Sequence, residues 1–248
     1  MGVQISSRAR SPPDPEVIDV TKEPETAETT GRPVRDVARR HRSPAAPRRR
    51  SPAATRARIL EAARRELGRD PDSSLAAIAA AAGVSRRTVY VHFAGRAALV
   101  EGLADEAGTA IRQAVAVSGG PGPDPVSALA RFVRTLWAVG DRYRVLIGLA
   151  HQDLGAGRVA QLLAPARSTA ALILADGQRL GVFHSSVPPG PLSSALEAHL
   201  LALLESVHRG VWADDGTASA QAALIAAGVD HRTAAAVVLR LRRTPTPP

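Results

Sequence analysis

The chain has 248 residues and a formal net charge of +9, carried almost wholly by arginine, Lys22 being its single lysine. That length holds one or two domains, and the charge favours a polyanionic partner, nucleic acid ahead of an acidic membrane. Without cysteine there are no disulfides and no thiolate metal sites, zinc fingers included.

No apolar run approaches the roughly 20 residues of a membrane span, and the N-terminus lacks the apolar core of a signal peptide. A soluble cytoplasmic protein with no membrane partner is expected. Residues 1–50 read as a disordered extension, mixing prolines (Pro12, Pro13, Pro15, Pro24, Pro33, Pro44, Pro47) with charge and almost no apolar periodicity. Asp14 to Glu28 is acid-rich, whereas the stretch to Arg50 carries Arg39, Arg40, Arg42, Arg48 and Arg49. A basic arm there adds sequence-independent phosphate contacts or reaches a minor groove; the alternative is a solvated linker.

Ser51-Pro52 opens the first helix, serine at the N-cap and proline in the first turn, with Ile59, Leu60, Ala63 and Leu67 as its buried stripe. Gly68 to Pro71 ends it, and Ser73 or Ser74 caps the next. Leu75, Ile78, Ala79 and Ala82 then give a short second helix one apolar face. Gly83 stops it, since glycine takes the left-handed conformation without a Cβ clash. Ser85 caps a third helix, with Val84 and Val89 placed as a hydrophobic staple. Two short helices joined by a tight turn are a helix-turn-helix pattern. At about 100° per residue, Val89 and Phe93 face inward, Arg87, Thr88 and Val91 face outward, and Arg86, Tyr90 and His92 flank them. Arginines at a helix N-terminus oppose the dipole, so Arg86 and Arg87, and Arg96 at the start of the fourth helix, point to a docked polyanion. The plainer reading is a solvated basic face.

The run TRARILEAARREL followed by LAAIAAAAGVSRRTVYVHFAGRAAL resembles the DNA-binding domain of the TetR (tetracycline-repressor-like) family of transcriptional regulators, over about residues 54–103. The resemblance implies that Ser74, Thr88, Tyr90, His92 and Arg96 touch the DNA backbone and that Arg86, Arg87 and Val91 lie near bases; Ser85, which caps the helix that carries them, is also a DNA-binding candidate. Arg87 stands where a small residue is common, and Arg96 where lysine is usual. Arg87 suits a guanine edge, and Val91 a thymine methyl.

GGPGPDP from Gly119 separates the first four helices from the rest. Helices are expected near 126–139, 141–150, 157–180, 191–212, 218–227 and 232–242, with no strand alternation. The fold class is therefore all-α: a three-helix helix-turn-helix domain (51–103), then a helical-bundle ligand-binding and dimerisation domain (104–248). The second part resembles the family's regulatory domain only by position and helix count. That resemblance implies a homodimer through the 191–212 helix and one after it, a palindromic operator on double-stranded DNA, and a pocket for a small apolar or amphipathic effector. Trp137, Tyr143 and His151 are the candidate effector contacts, drawn from a set that also includes Phe132, Phe183 and His199.

An enzyme is not expected. His151, Gln152 and Asp153 offer no convergent pair, His199 and His208 lack a carboxylate partner, and no phosphate loop, GxSxG or HExxH is present. No metal or cofactor is expected. The function read from the chain is a sequence-specific transcriptional regulator, a repressor, modulated by an effector. The competing reading is a sequence-independent, architectural DNA-binding protein.

Overall fold

The computed structural model describes residues 51–149 and 153–243, so the extension 1–50 and the candidate His151 lie outside the described residues. Within them the chain is helical without strands, in the order α1 Pro52–Arg69, α2 Leu75–Ala81, α3 Arg86–His92, α4 Arg96–Val117, α5 Pro125–Arg142, α6 Val145–Leu149, α7 Ala156–Arg179, α8 Pro189–His208, α9 Thr217–Ala226 and α10 His231–Arg243. The periodicity predicted this all-α class.

Local chemistry sets the boundaries. Ser51, Ser74, Ser85 and Asp124 are N-caps, each accepting a backbone N–H from three residues on. Gly83, at φ 61, closes α2: its own N–H donates to Ala80 O and the N–H of Val84 to Ala79 O, the two bonds of a Schellman cap.

Two apolar clusters organise the helices. The head cluster joins Ile59, Leu67, Ile78, Val89, Phe93, Leu99 and Leu103 from α1–α4 to Tyr143, Val145, Leu146 and Leu149 from the end of α5 and from α6. The body cluster gathers Leu129, Phe132, Ile173, Leu174, Leu196, Leu224 and Val238 from α5 and α7–α10. Each fully buried leucine or isoleucine stabilises by about 1.5–3 kcal/mol. The 22 residues of α4 run unbroken between the clusters, giving Leu99, Leu103 and Ala107 to the head and Ile111 to the body. The expected domain boundary after residue 103 thus falls inside a continuous helix.

Several boundaries differ from the periodicity. Helix α5 continues through Arg142 to a C-cap at Tyr143, so only five residues remain for α6. Helix α7 passes through Pro165, which lacks the N–H for one intrahelical bond. Helix α8 begins two residues early, at Pro189, and stops at His208. Gly210, at φ 70, turns the chain, leaving Val211 75% exposed outside the helix. Its burial is one-sided: Leu192, Leu196 and Leu204 face the core, whereas Ala195, Ala198, His199 and Ala202 are exposed.

Candidate nucleic-acid interface

The short α3 is held in place by its ends and its inner face. The Ser85 hydroxyl accepts from Thr88 N at 3.0 Å and shares a 2.8 Å hydrogen bond with the Thr88 hydroxyl. Val89 is fully buried and Phe93, the C-cap residue, is buried beside it. Opposite them, Tyr90 is 57% and Val91 75% exposed, among the large side chains left most open. Arg86 and Arg87 are exposed at the helix N-terminus and make no hydrogen bond or ion pair among the described residues. The first turn contains no acid.

The other head arginines have partners. Arg64 and Arg65 pair with Glu61, and Arg69 with Glu66. Hydrogen bonding from Arg64 holds the Glu61 carboxyl below its ordinary value despite partial burial. The outward cations of α3 are therefore left to an external anion, and an apolar surface beside them suits base edges better than bulk water. Ser74 caps α2 by accepting from Ala77 N at 3.2 Å, which leaves its O–H proton to donate outward. His92 is half-buried, its ring 6.5 Å from that of Phe93.

Arg96 differs from the sequence reading. The dipole argument assigns it an external phosphate, yet its guanidinium donates to Pro71 O at 2.7 Å and lies 3.6 Å from Asp153 Oδ2. A cation at this N-terminus thus already has internal partners, one of them across the chain in the segment before α7.

Two arginines that periodicity did not single out shape the interface from behind. Arg58 donates to Ala82 O at 3.1 Å, clasping the turn between α2 and α3. Arg56 lies 4.8 Å over the Phe93 ring at the end of α3. Their partners are more than twenty residues away, so no local spacing announces them.

The two described effector candidates, Trp137 and Tyr143, have different surroundings. Trp137 is 4% exposed, its indole N–H donating to Asp214 O at 3.2 Å and its ring edge-on to Trp212 at 6.4 Å. Tyr143 is 5% exposed within the head cluster, its hydroxyl pushed above the ordinary range first by burial and then by the charge of Glu106. Of the others considered, Phe132 and Phe183 are body-cluster core and His199 is exposed. The surface depressions beside α10 are lined by residues such as Leu239, Arg240 and Arg243, and neither includes Trp137 or Tyr143.

Polar bridges tie α4 to α7 and α1 to α5. Arg158 on α7 reaches Glu101 at 2.5 Å and Asp105 at 2.6 Å, and Arg64 on α1 donates to Arg142 O at 3.1 Å, at the end of α5. Among the described residues no helix is long and apolar enough to cross a membrane.

Comparison with known proteins agrees with this geometry. Residues 59–103 match the family model described as bacterial regulatory proteins, tetR family. The sequence matches none of the curated proteins with which it was compared. Among solved structures, the fold is similar to the fatty acid degradation regulator FadR of Bacillus halodurans, at TM-score 0.59 and 16% identity, covering 70% of this chain and 95% of that one. It is also similar to the TetR-family regulator PfmR of Thermus thermophilus, at TM-score 0.58 and 18% identity over 69% and 98% of the two chains. SmeT, the repressor of the multidrug efflux pump SmeDEF in Stenotrophomonas maltophilia, superposes at TM-score 0.55 with 20% identity over 71% and 91%.

Proposed function

We propose that this chain, a DNA-binding transcriptional regulator of the TetR family, acts as a homodimeric repressor that two recognition helices hold on a palindromic operator and that a small effector releases. The observation that carries this reading is α3, capped and packed from within while Arg86, Arg87, Tyr90 and Val91 are open on its outer face. One such helix reads only a few base pairs, so paired half-sites are needed for useful affinity. The exposed Ala195, Ala198 and Ala202 of α8 support its role as the self-association face. In the operator complex, Ser74, Thr88, Tyr90 and His92 contact phosphates, and Arg86, Arg87 and Val91 lie near bases. Arg96 joins the phosphate contacts by exchanging Asp153 for DNA.

For the effector, the titles of similar structures supply only a chemical range: FadR regulates fatty acid degradation and SmeT represses a multidrug efflux pump. A small apolar or amphipathic molecule is the corresponding proposal here. Trp137 is its proposed contact, its indole N–H exchanging Asp214 O for the effector. Tyr143 and His151 complete the proposed contact set. Movement in the body reaches the head through α4, whose bridges from Arg158 and between Arg96 and Asp153 differ between two states.

The test is fluorescence anisotropy of the full chain on DNA from upstream of its own gene, in excess random competitor, at two salt concentrations. The expected result is a competitor-resistant complex that maps to an inverted repeat and keeps a specific component at the higher salt. Binding that random DNA removes and higher salt abolishes favours the architectural reading instead.

A further inference from the structure

Every Ser-Pro dipeptide in this sequence follows the pattern Arg-x-Arg. The three copies are Arg8-Ala9-Arg10-Ser11-Pro12, Arg40-His41-Arg42-Ser43-Pro44 and Arg48-Arg49-Arg50-Ser51-Pro52. The last two extend to a shared Arg-Ser-Pro-Ala-Ala at Arg42–Ala46 and Arg50–Ala54. Helix capping accounts for Ser51-Pro52, which opens α1. It does not account for the arginines ahead of it, nor for the repetition of the pattern.

Ser51 has the geometry of a modification site. It is exposed and extended, at φ −61 and ψ 149, and its hydroxyl oxygen accepts one bond, from Ala54 N at 3.2 Å. We propose that Ser51 is phosphorylated by a serine/threonine protein kinase whose groove has acidic subsites for the two arginines and accepts proline after the serine. The phosphoryl donor is a nucleoside triphosphate. Serine Oγ attacks the γ-phosphorus and forms the new O–P bond. The bond from that phosphorus to the bridging oxygen breaks, the nucleoside diphosphate leaves, and the hydroxyl proton passes to a carboxylate of the kinase.

The modification acts through charge and leaves the fold intact. Phosphate adds about −1.5 to −2 at neutral pH, and at an N-cap it faces the unbonded backbone N–H groups of α1. The first turn of α1 holds no acid to repel it. Its position makes the charge felt. Arg56 and Arg58, within two turns of Ser51, touch the end of α3 and the α2–α3 turn. Ser51 to Arg56 is about 8 Å of helix axis, within a Debye length of about 8 Å at physiological salt. A phosphate there opposes the DNA phosphates next to the recognition helix. This inference rests on the DNA-binding reading for its consequence, but not for the site.

Two experiments test it. The full chain is isolated from the cells that make it, in several growth phases, and digested with a glutamate-specific protease, which leaves Ser43 and Ser51 on the peptide 29–61. Mass spectrometry should find phosphate on Ser51, removed by phosphatase. Peptides recovered without it in every phase, or with phosphate only on other residues, overturn the assignment. Separately, Ser51→Asp is compared with Ser51→Asn, since both side chains are good N-caps and they differ in charge. The aspartate is expected to melt no lower than the asparagine, as a carboxylate at a helix N-terminus, with operator affinity about three- to tenfold weaker for the aspartate at low salt and a gap that closes as salt rises. Equal affinity at low salt overturns the regulatory role. Failure of Ser51→Asn and the unaltered chain to bind any operator refutes the DNA-binding reading, and leaves the phosphate map to decide the site.

Discussion

Arg87 and Tyr90 share one exposed face of a seven-residue helix but are assigned different tasks. A guanidinium that reads a base edge bidentately discriminates by about 1–3 kcal/mol, whereas a phenol on a phosphate fixes register. Arg87→Ala should therefore weaken the operator complex about tenfold or more and flatten the preference at one base position. Tyr90→Phe should weaken binding to all sites alike, by about tenfold or more, the value of one hydrogen bond to a charged group. Both residues are exposed, so melting temperatures should stay unchanged. Competition anisotropy across single-base operator variants measures both effects. Uniform loss in Arg87→Ala would move that residue to the backbone contacts.

At the scale of elements, caps and bridges set what each helix does. Asp124 caps α5, and hydrogen bonding to Ser127, its side chain first and its backbone N–H next, holds the carboxyl below its ordinary value. A carboxylate whose folded pKa is lowered contributes stability above its unfolded value, and that contribution is lost as pH falls through the folded pKa. Asp124→Asn keeps a capping oxygen and loses the titration. Its melting temperature should lie below that of the unaltered chain at neutral pH, with the gap shrinking as pH falls through the lowered value of the Asp124 carboxyl. A gap independent of pH would show that the ionised form is not what stabilises the cap.

The Arg96–Asp153 pair links the head to the segment before α7, and in the proposed operator complex its carboxylate competes with DNA phosphate for the same guanidinium. Asp153→Ala should raise operator affinity about two- to fivefold, the ~0.5–1 kcal/mol of a partly exposed ion pair. Lower affinity in that variant would mean that the pair holds the head in its binding geometry.

For the whole molecule, two further outcomes follow from the proposed dimer and effector. Ala198 on the outer face of α8 is exposed in the single chain, so Ala198→Glu should leave the helices folded. If that face joins two copies, sedimentation should show monomers and operator binding should fall with them. A dimer that survives the charge would move the interface to another face. The chain has two tryptophans, Trp137 and Trp212, set edge to face. An effector that takes over the Trp137 N–H should shift intrinsic fluorescence, and Trp137→Phe should abolish the shift. An unchanged response in Trp137→Phe would remove that residue from the effector site.

What the sequence determined by itself is local. Capping serines, the glycine after α2 and the staple valines act over four or five residues, so the helix-turn-helix and the exposure of Arg87 and Val91, with Arg86 and Tyr90 on the flanks, were legible from the sequence, while Thr88, expected outward, is half-buried. The all-α class followed from the same period. The partners of long side chains were decided only by tertiary structure. Arg96 found Pro71 and Asp153, Arg58 the α2–α3 turn, and Tyr143 the head cluster, through contacts between residues distant along the chain. The dipole at the start of α4 predicts an anion for Arg96 but is silent on whether that anion is DNA or an aspartate of the same chain. Trp137 shows the same limit: helical spacing marks it as inward-facing, and only the packing of the loop before α9 occupies its N–H with Asp214. Local signals encode which face of a helix is buried, and chain topology decides what lies against it.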